Sequence, residues 1–186
     1  MRGATLPIIT ALLLVSCGAQ SGPAPGNGSS SSSSSLSLSL MELTSPAFVD
    51  NERFPSAYTC DGDEISPPLV FHSIPAEAKS LALILDDPDA PGSSFIHWTL
   101  WNIPAREQDV ATGEIPPGAR EGKNTAGGKG YVSPCPPTGT HRYVFTLFAL
   151  DAELGLPAGA APDELRRAME GHIVEETKLT GLYSRS

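Results

Sequence analysis

Positively charged and aromatic residues are scarce in this chain of 186 residues. Lysine and arginine number 12 against 21 aspartates and glutamates, which leaves a formal net charge of −9, and aromatic residues make up 6% of the sequence. Affinity for nucleic acids comes largely from lysine and arginine side chains that neutralise phosphates. The composition therefore argues against a nucleic acid as a partner.

Long hydrophobic runs are also absent. The most apolar stretch, residues 6–15, is too short to span a bilayer as a permanent helix and follows a single positive charge at Arg2. These features predict an export signal over residues 1–16. The sequence LVSC, which ends at Cys17, resembles the cleavage site of bacterial lipoproteins, where the cysteine is acylated and becomes the first residue. Ordinary cleavage after residues 17–19 is the alternative.

Acylation of Cys17 would anchor the protein to a bacterial membrane at the cell envelope, because several acyl chains exceed what stable anchoring requires. By the same resemblance, Gly18 after the cysteine favours the outer membrane in a source that has one. Residues 18–40 contain ten serines, four glycines and no charged residue, a composition that cannot bury enough apolar surface to fold. We therefore predict a flexible linker over residues 17–40 and one folded domain over residues 41–186.

Glycine and proline are abundant, with 18 of each, and favour short strands joined by turns over a helical bundle. Three apolar stretches show the clearest strand pattern: residues 80–85, 96–103 and 141–150. Proline and glycine pairs between these stretches predict loops rather than crossover helices, which disfavours a parallel sheet. The sequence therefore predicts a mainly β domain.

One helix is predicted near the end of the chain. Pro162 and the two acidic residues after it suit a first helical turn, Leu165 and Met169 lie on one face, and Gly171 follows the helix. For residues 173–183 we predict a mixed segment, in which a helix runs into a strand.

Two of the four histidines, His97 and His141, stand at the beginning of predicted strands, and an acidic turn with Asp87 stands at the end of another. Alternate residues of a strand share a face, so Tyr143 points the same way as His141. The pattern allows these four side chains to converge at one edge of a sheet. The alternative is that each histidine fills a core position with a backbone partner.

Several motifs resemble those of the phosphatidylethanolamine-binding protein family, which includes the Raf kinase inhibitor proteins. Its two defining blocks are similar to DPDAP from Asp87 with HW from His97, and to PPTGTHRY from Pro136. The sequences YTCDG from Tyr58 and SPPL from Ser66 are similar to its bacterial and archaeal branch, and AMEGH ends the match. The resemblance covers essentially all of residues 41–186.

The resemblance implies an antiparallel β-sandwich-like core with one or two short C-terminal helices, and a small pocket for a phosphate-bearing headgroup. By motif position, the implied pocket residues are Asp87, His97, Cys135, Pro136, Pro137, His141 and Tyr143. Ring N–H, phenol O–H and loop backbone N–H groups would donate hydrogen bonds to the anion. Asp87 would repel a phosphate unless it pairs with a histidine or receives a ligand amine, which suits a zwitterionic headgroup.

The implied function is therefore a binding module without enzymatic activity or a cofactor, whose partner is a small phosphorylated ligand or a phospholipid headgroup. One alternative is an interaction protein that inhibits or regulates a kinase or a peptidase, as members of the family do. A second is an acid–base hydrolase that uses Asp87 and the two histidines with Ser93 or Ser94. A third is a divalent metal held by the acidic and histidine side chains.

Arg142 carries a charge next to the pocket motif. By strand alternation it faces away from His141 and Tyr143. We therefore expect Arg142 to stabilise the acidic turn that contains Asp87 and Asp89 rather than to bind a ligand.

Cysteine is rare, with three in the sequence. If Cys17 is acylated, Cys60 and Cys135 remain, and disulfides persist in proteins that are exported. We predict a disulfide between them, with two small buried thiols beside the pocket as the alternative.

Overall fold

The computed structural model describes residues 40–106 and 108–185. The predicted signal peptide over residues 1–16, the acylation of Cys17 and the linker over residues 17–40, apart from Leu40, lie outside the described residues. The described part forms nine strands, one α-helix and one turn of 3-10 helix at Ser56–Tyr58. In chain order these are β1 (Glu42–Thr44), β2 (Glu52–Arg53), β3 (Leu69–His72), β4 (Ser80–Asp87), β5 (Phe95–Pro104), β6 (Asp109–Val110), β7 (Arg120–Glu121), β8 (His141–Leu150), α1 (Pro162–Met169) and β9 (Ile173–Tyr183).

The strands form two sheets. The smaller has the order β1-β3-β6, and the larger has the order β2-β9-β8-β4-β5-β7. All neighbours pair antiparallel except β2 and β9, which are parallel over two residue pairs. The predicted mainly β, antiparallel class is confirmed.

The main core lies between the two sheets. Leu43, Leu69 and Phe71 of the smaller sheet are buried in one cluster with residues of the larger sheet such as Leu83 and Phe145. Alternate residues of β4 and β8 point into this cluster, as strand periodicity requires. The remaining residues of both strands face the other side of the larger sheet.

Helix α1 covers part of that other side. Leu165 and Met169, four positions apart, are buried against the sheet with Phe148 and Leu150. Pro162 begins the helix, and the Glu164 side chain accepts a hydrogen bond from the Ala161 N–H at 2.7 Å. In the described residues, no helix is long and apolar enough to cross a membrane.

The mixed segment predicted for residues 173–183 is wrong, because Ile173–Tyr183 is a single strand. It pairs with β8 along its whole length, from His141 opposite Tyr183 to Leu150 opposite Ile173. Glu175 and Glu176 interrupt the apolar pattern that would indicate a strand, because glutamate is uncommon in strands. Pairing with β8 decides the conformation of this segment instead. Strand β4 also extends two residues beyond its prediction, to Asp87, since Asp86 and Asp87 pair with β5.

Candidate ligand-binding pocket

A cavity of about 220 Å³ opens at one edge of the larger sheet. Strand β4 lies between β5 and β8 and runs antiparallel to both. The end of β4 therefore meets the beginnings of β5 and β8 at this edge. All seven residues predicted for the pocket line the cavity, together with five that were not predicted: Ala90, Pro91, Phe95, Val132 and Ser133.

Asp87 and His141 form a buried pair at this edge. Asp87 Oδ2 lies 2.7 Å from His141 Nδ1, and the two residues are 4% and 7% exposed. Since a carboxylate accepts hydrogen bonds, this contact assigns the proton to Nδ1 and directs His141 Nε2 away from Asp87. The second carboxylate oxygen accepts a hydrogen bond from the Asp89 N–H at 2.8 Å. One carboxylate thus fixes both the imidazole and the turn after β4.

His97 is held by a backbone carbonyl. Its Nδ1 donates to the Val132 oxygen at 2.7 Å, and the Val132 N–H donates back to the His97 oxygen at 2.9 Å. The neutral ring therefore carries a lone pair on Nε2. Burial lowers the pKa of His97, although the Val132 carbonyl and the charge of Asp87 act in the opposite direction. Strand β5 begins at Phe95, one residue before its predicted start, so His97 is the third residue of the strand.

Tyr143 lies on the same face of β8 as His141, as predicted. Its residue is fully buried, its ring meets the His97 ring edge-on with 5.3 Å between centroids, and its hydroxyl has no hydrogen-bond partner of suitable geometry among the described residues. Burial first, and the nearby Asp87 charge second, raise the pKa of Tyr143, so the phenol keeps its proton. Asp87 lies close enough to act on this buried hydroxyl, but no described residue accepts from it in hydrogen-bond geometry.

The outer wall of the pocket comes from the loop before β8. Cys135, Pro136 and Pro137 line the cavity, and Cys135 is joined to Cys60 by a disulfide with 5.4 Å between the Cα atoms. The two prolines have no N–H group, so they contribute carbonyls and apolar surface only. The Cys60 N–H also donates to the Pro134 oxygen at 3.1 Å.

Arg142 lies outside the pocket. Its Nε and Nη2 donate to the two oxygens of Asp89 at 2.9 and 2.7 Å, and its backbone N–H also donates to Asp89. These hydrogen bonds lower the pKa of Asp89 to about 2. As expected, Arg142 stabilises the acidic turn, and its hydrogen bonds go to Asp89 and not to Asp87.

Among the lining residues that were not predicted, Phe95 could have been found from the sequence, because it stands two positions before His97 and alternate strand residues share a face. In the structure its ring centroid lies 4.7 Å from that of His97. Ala90 and Pro91 belong to the DPDAP motif. Val132 acts through its carbonyl, which no side-chain pattern reveals.

The hydrogen bonds change the chemistry expected from the sequence. Both histidines already use Nδ1–H inside the protein, so their neutral rings offer Nε2 lone pairs to a ligand and not the N–H donors that were expected. They can donate to an anion only after a second proton binds at Nε2. The Tyr143 hydroxyl is a donor in every state of the histidines.

The candidate nucleophiles of the hydrolase alternative lie outside the cavity. Ser93 and Ser94 do not line it, and Ser94 Oγ donates to Asp86 at 3.0 Å. The lining residue Ser133 donates to Glu64 at 3.0 Å. Among the residues that the structure describes, no group of three or more histidine, cysteine or acidic side chains is arranged to hold a metal ion.

Comparisons with known proteins agree on one family. A model of the phosphatidylethanolamine-binding protein family matches residues 44–184. A UPF0098 protein of Methanothermobacter thermautotrophicus is 51% identical over 150 residues, which cover 78% of this chain and 99% of that protein. A crystal structure of a phosphatidylethanolamine-binding protein homologue from Chlamydia trachomatis superimposes with a TM-score of 0.76 at 42% identity, and the match covers 79% of this chain and 99% of the other. YbcL of Escherichia coli, described as a member of the mammalian family, gives a TM-score of 0.75 at 27% identity, with 80% and 100% of the two chains covered.

Proposed function

Because the chain belongs to the phosphatidylethanolamine-binding protein family, we propose that its pocket binds a small phosphate-bearing ligand, such as a phospholipid headgroup, without transforming it. The volume of about 220 Å³ lies below the usual range for drug-sized ligands. A headgroup fits this size better than a whole lipid does.

The buried Tyr143 hydroxyl carries the proposal. A buried donor without an acceptor costs about 1–3 kcal/mol, and Tyr143 lines the cavity. A phosphate oxygen that accepts from this hydroxyl removes that cost on binding. The ligand thereby supplies an acceptor that no described residue provides to this hydroxyl in hydrogen-bond geometry.

The other polar groups suit a ligand that carries both charges. Asp87 and the Nε2 atoms of His97 and His141 accept hydrogen bonds, which fits a primary ammonium group. A phosphate on the same ligand would meet Tyr143 and any histidine that takes up a second proton. Phosphoethanolamine provides both charges in one small molecule.

The absence of enzymatic activity is part of the proposal. Its support is that the hydroxyls of Ser94 and Ser133 donate to carboxylates and not to a pocket histidine. A serine nucleophile needs a base within hydrogen-bonding distance. The pocket groups therefore suit recognition, and we assign no cofactor to them.

We also propose that the protein is exported and anchored at the cell envelope through an acylated Cys17. The support is the LVSC sequence after a short apolar run. Replacing Cys17 with serine should move the protein from the membrane fraction to the soluble fraction or block its processing. Equal recovery of both forms in membranes would contradict the anchor.

Calorimetric titration with phosphoethanolamine tests the pocket. The full chain with Cys17→Ser should bind the ligand, and a further His97→Ala/His141→Ala change should weaken binding at least tenfold. A hydrogen bond that involves a charged group contributes about 1.5–3 kcal/mol, which supports this size of effect. Undiminished affinity in a folded double variant would show that the histidines are structural and that the pocket assignment is wrong.

A further inference from the structure

Cys135 belongs both to the pocket wall and to the single disulfide of the described residues. It lines the cavity, is exposed to solvent, and is joined to Cys60, 75 positions earlier in the chain. A reagent in solution can therefore approach a disulfide-bonded residue that shapes the pocket. This combination links the redox state of the protein to its ligand site.

The segment of residues 135–140 depends on that disulfide. Upstream, Tyr131 donates to the Tyr58 oxygen at 2.6 Å, and Pro134 accepts from Cys60. Downstream, pairing with β9 begins at His141. In the described part of the chain, residues 135–140 make no hydrogen bond or ion pair to any other segment, so the disulfide at Cys135 and the packing of the buried Pro136 hold them in place.

We propose that the Cys60–Cys135 disulfide is a redox gate on the pocket: the oxidised form holds the pocket wall in the binding conformation, and reduction by a dithiol releases the wall and weakens binding. This inference rests on the proposed function, since it assumes that the pocket binds a phosphate-bearing ligand. Reduction frees residues 135–140, and with them the wall formed by Pro136 and Pro137. A ligand must then order this wall on binding, which lowers its affinity.

The chemistry of opening is thiol–disulfide exchange. A thiolate of the dithiol attacks Sγ of the exposed residue Cys135, a mixed disulfide forms, and the Cys60 thiolate leaves and takes up a proton. The second thiol of the reductant then attacks the mixed disulfide and releases the Cys135 thiol. Two electrons pass to the protein, which gains two thiols, and the dithiol becomes a disulfide.

The rest of the domain keeps its contacts when the disulfide opens. Neither cysteine belongs to the core between the sheets. Asp61, next to Cys60, still accepts hydrogen bonds from Tyr183 at 2.8 Å and from Arg185 at 3.0 Å. Reduction should therefore change the pocket wall while the domain stays folded.

The test compares oxidised, dithiothreitol-reduced and reoxidised protein, using the full chain with Cys17→Ser so that Cys60 and Cys135 are its only cysteines. Thiol labelling should find no free thiol in the oxidised protein, two in the reduced protein and none after reoxidation. Calorimetry with phosphoethanolamine should show at least tenfold weaker binding after reduction, and recovery after reoxidation. Binding within twofold in the reduced, folded protein would overturn the gate, and so would loss of the fold on reduction.

A Cys60→Ala/Cys135→Ala variant serves as the matched control. It should bind as weakly as the reduced protein and should not respond to dithiothreitol. Backbone ¹⁵N relaxation of residues 138–140, measured without ligand, should show these residues becoming mobile on reduction. If the oxidised protein fails to bind phosphoethanolamine, the proposed function falls, and unchanged relaxation in both redox states separately overturns the gate.

Discussion

Asp87 Oδ2 and His141 Nδ1, 2.7 Å apart, join the last residue of β4 to the first residue of β8. Because the carboxylate holds the Nδ1 proton, the ring presents a lone pair on Nε2. In the proposed phosphate pocket, the carboxylate that orients His141 would also repel the anion. Under the proposed function, the balance between these two effects should decide between phosphate alone and a ligand that also carries an ammonium group.

We expect Asp87→Asn to strengthen the binding of inorganic phosphate and to remove any preference for phosphoethanolamine. The change removes the negative charge that repels phosphate and attracts the ligand ammonium. Calorimetry with both ligands on both proteins measures the two affinity ratios. An unchanged preference for phosphoethanolamine would show that the ammonium does not lie near Asp87.

We expect Tyr143→Phe to leave the free energy of unfolding unchanged or slightly higher while the affinity for phosphate falls. The variant removes a buried hydroxyl that makes no hydrogen bond of suitable geometry to a described residue, so its loss costs little stability. Tyr131→Phe is the matched control, because its hydroxyl donates to Tyr58 at 2.6 Å, and it should lose about 0.5–1.5 kcal/mol of stability. Urea denaturation and calorimetry separate the two effects. A clear loss of stability in Tyr143→Phe would contradict the unpaired hydroxyl.

Anion affinity should fall between pH 5.5 and pH 8. Burial lowers the pKa of His97, so the neutral ring must take up a proton before Nε2 can donate to an anion, and this uptake is easier at low pH. Of the titratable groups near His97, Asp87 and Asp86 raise its pKa and His141 lowers it. Sulfate is the suitable probe because, unlike phosphate, it keeps a constant charge over this range.

The same titration in buffers with different heats of ionisation should show net proton uptake on sulfate binding. The His97→Ala/His141→Ala variant should show no such dependence on pH. Equal affinity of the unmodified pocket at pH 5.5 and pH 8 would contradict a role for protonated histidine.

Asp89 should titrate near pH 2, and Arg142→Ala should return its pKa toward 3.8. Two side-chain hydrogen bonds and one backbone hydrogen bond from Arg142 favour the ionised carboxyl. Since the pKa is lowered in the folded state, the stabilisation is present above about pH 3.8 and is lost as the pH falls toward 2. Carbon-detected NMR of the carboxyl measures both values. Arg142→Ala should lower stability more than ligand affinity, and the opposite result would place Arg142 in the binding site.

The sequence predicted well those features that depend on local pattern. Strand β8 begins and ends at the predicted residues. Strand alternation correctly placed Tyr143 on the same face as His141, and Arg142 on the opposite face. The pattern failed for residues 173–183, where pairing with β8 outweighs local preference. It also could not show which ring nitrogen carries a proton, since that depends on Asp87 and on the Val132 carbonyl, far away in sequence.

The larger sheet places β9, its last strand in chain order, between β2 and β8. Asp50, just before β2, accepts a hydrogen bond from the backbone of Thr180, 130 positions later. A ribosome delivers these partners at widely separated times, so β2 has no neighbour and β8 has an open edge until residues 173–183 have been synthesised. Sheets built from such distant pairs form slowly. The domain therefore completes its fold only when nearly all of its chain is available.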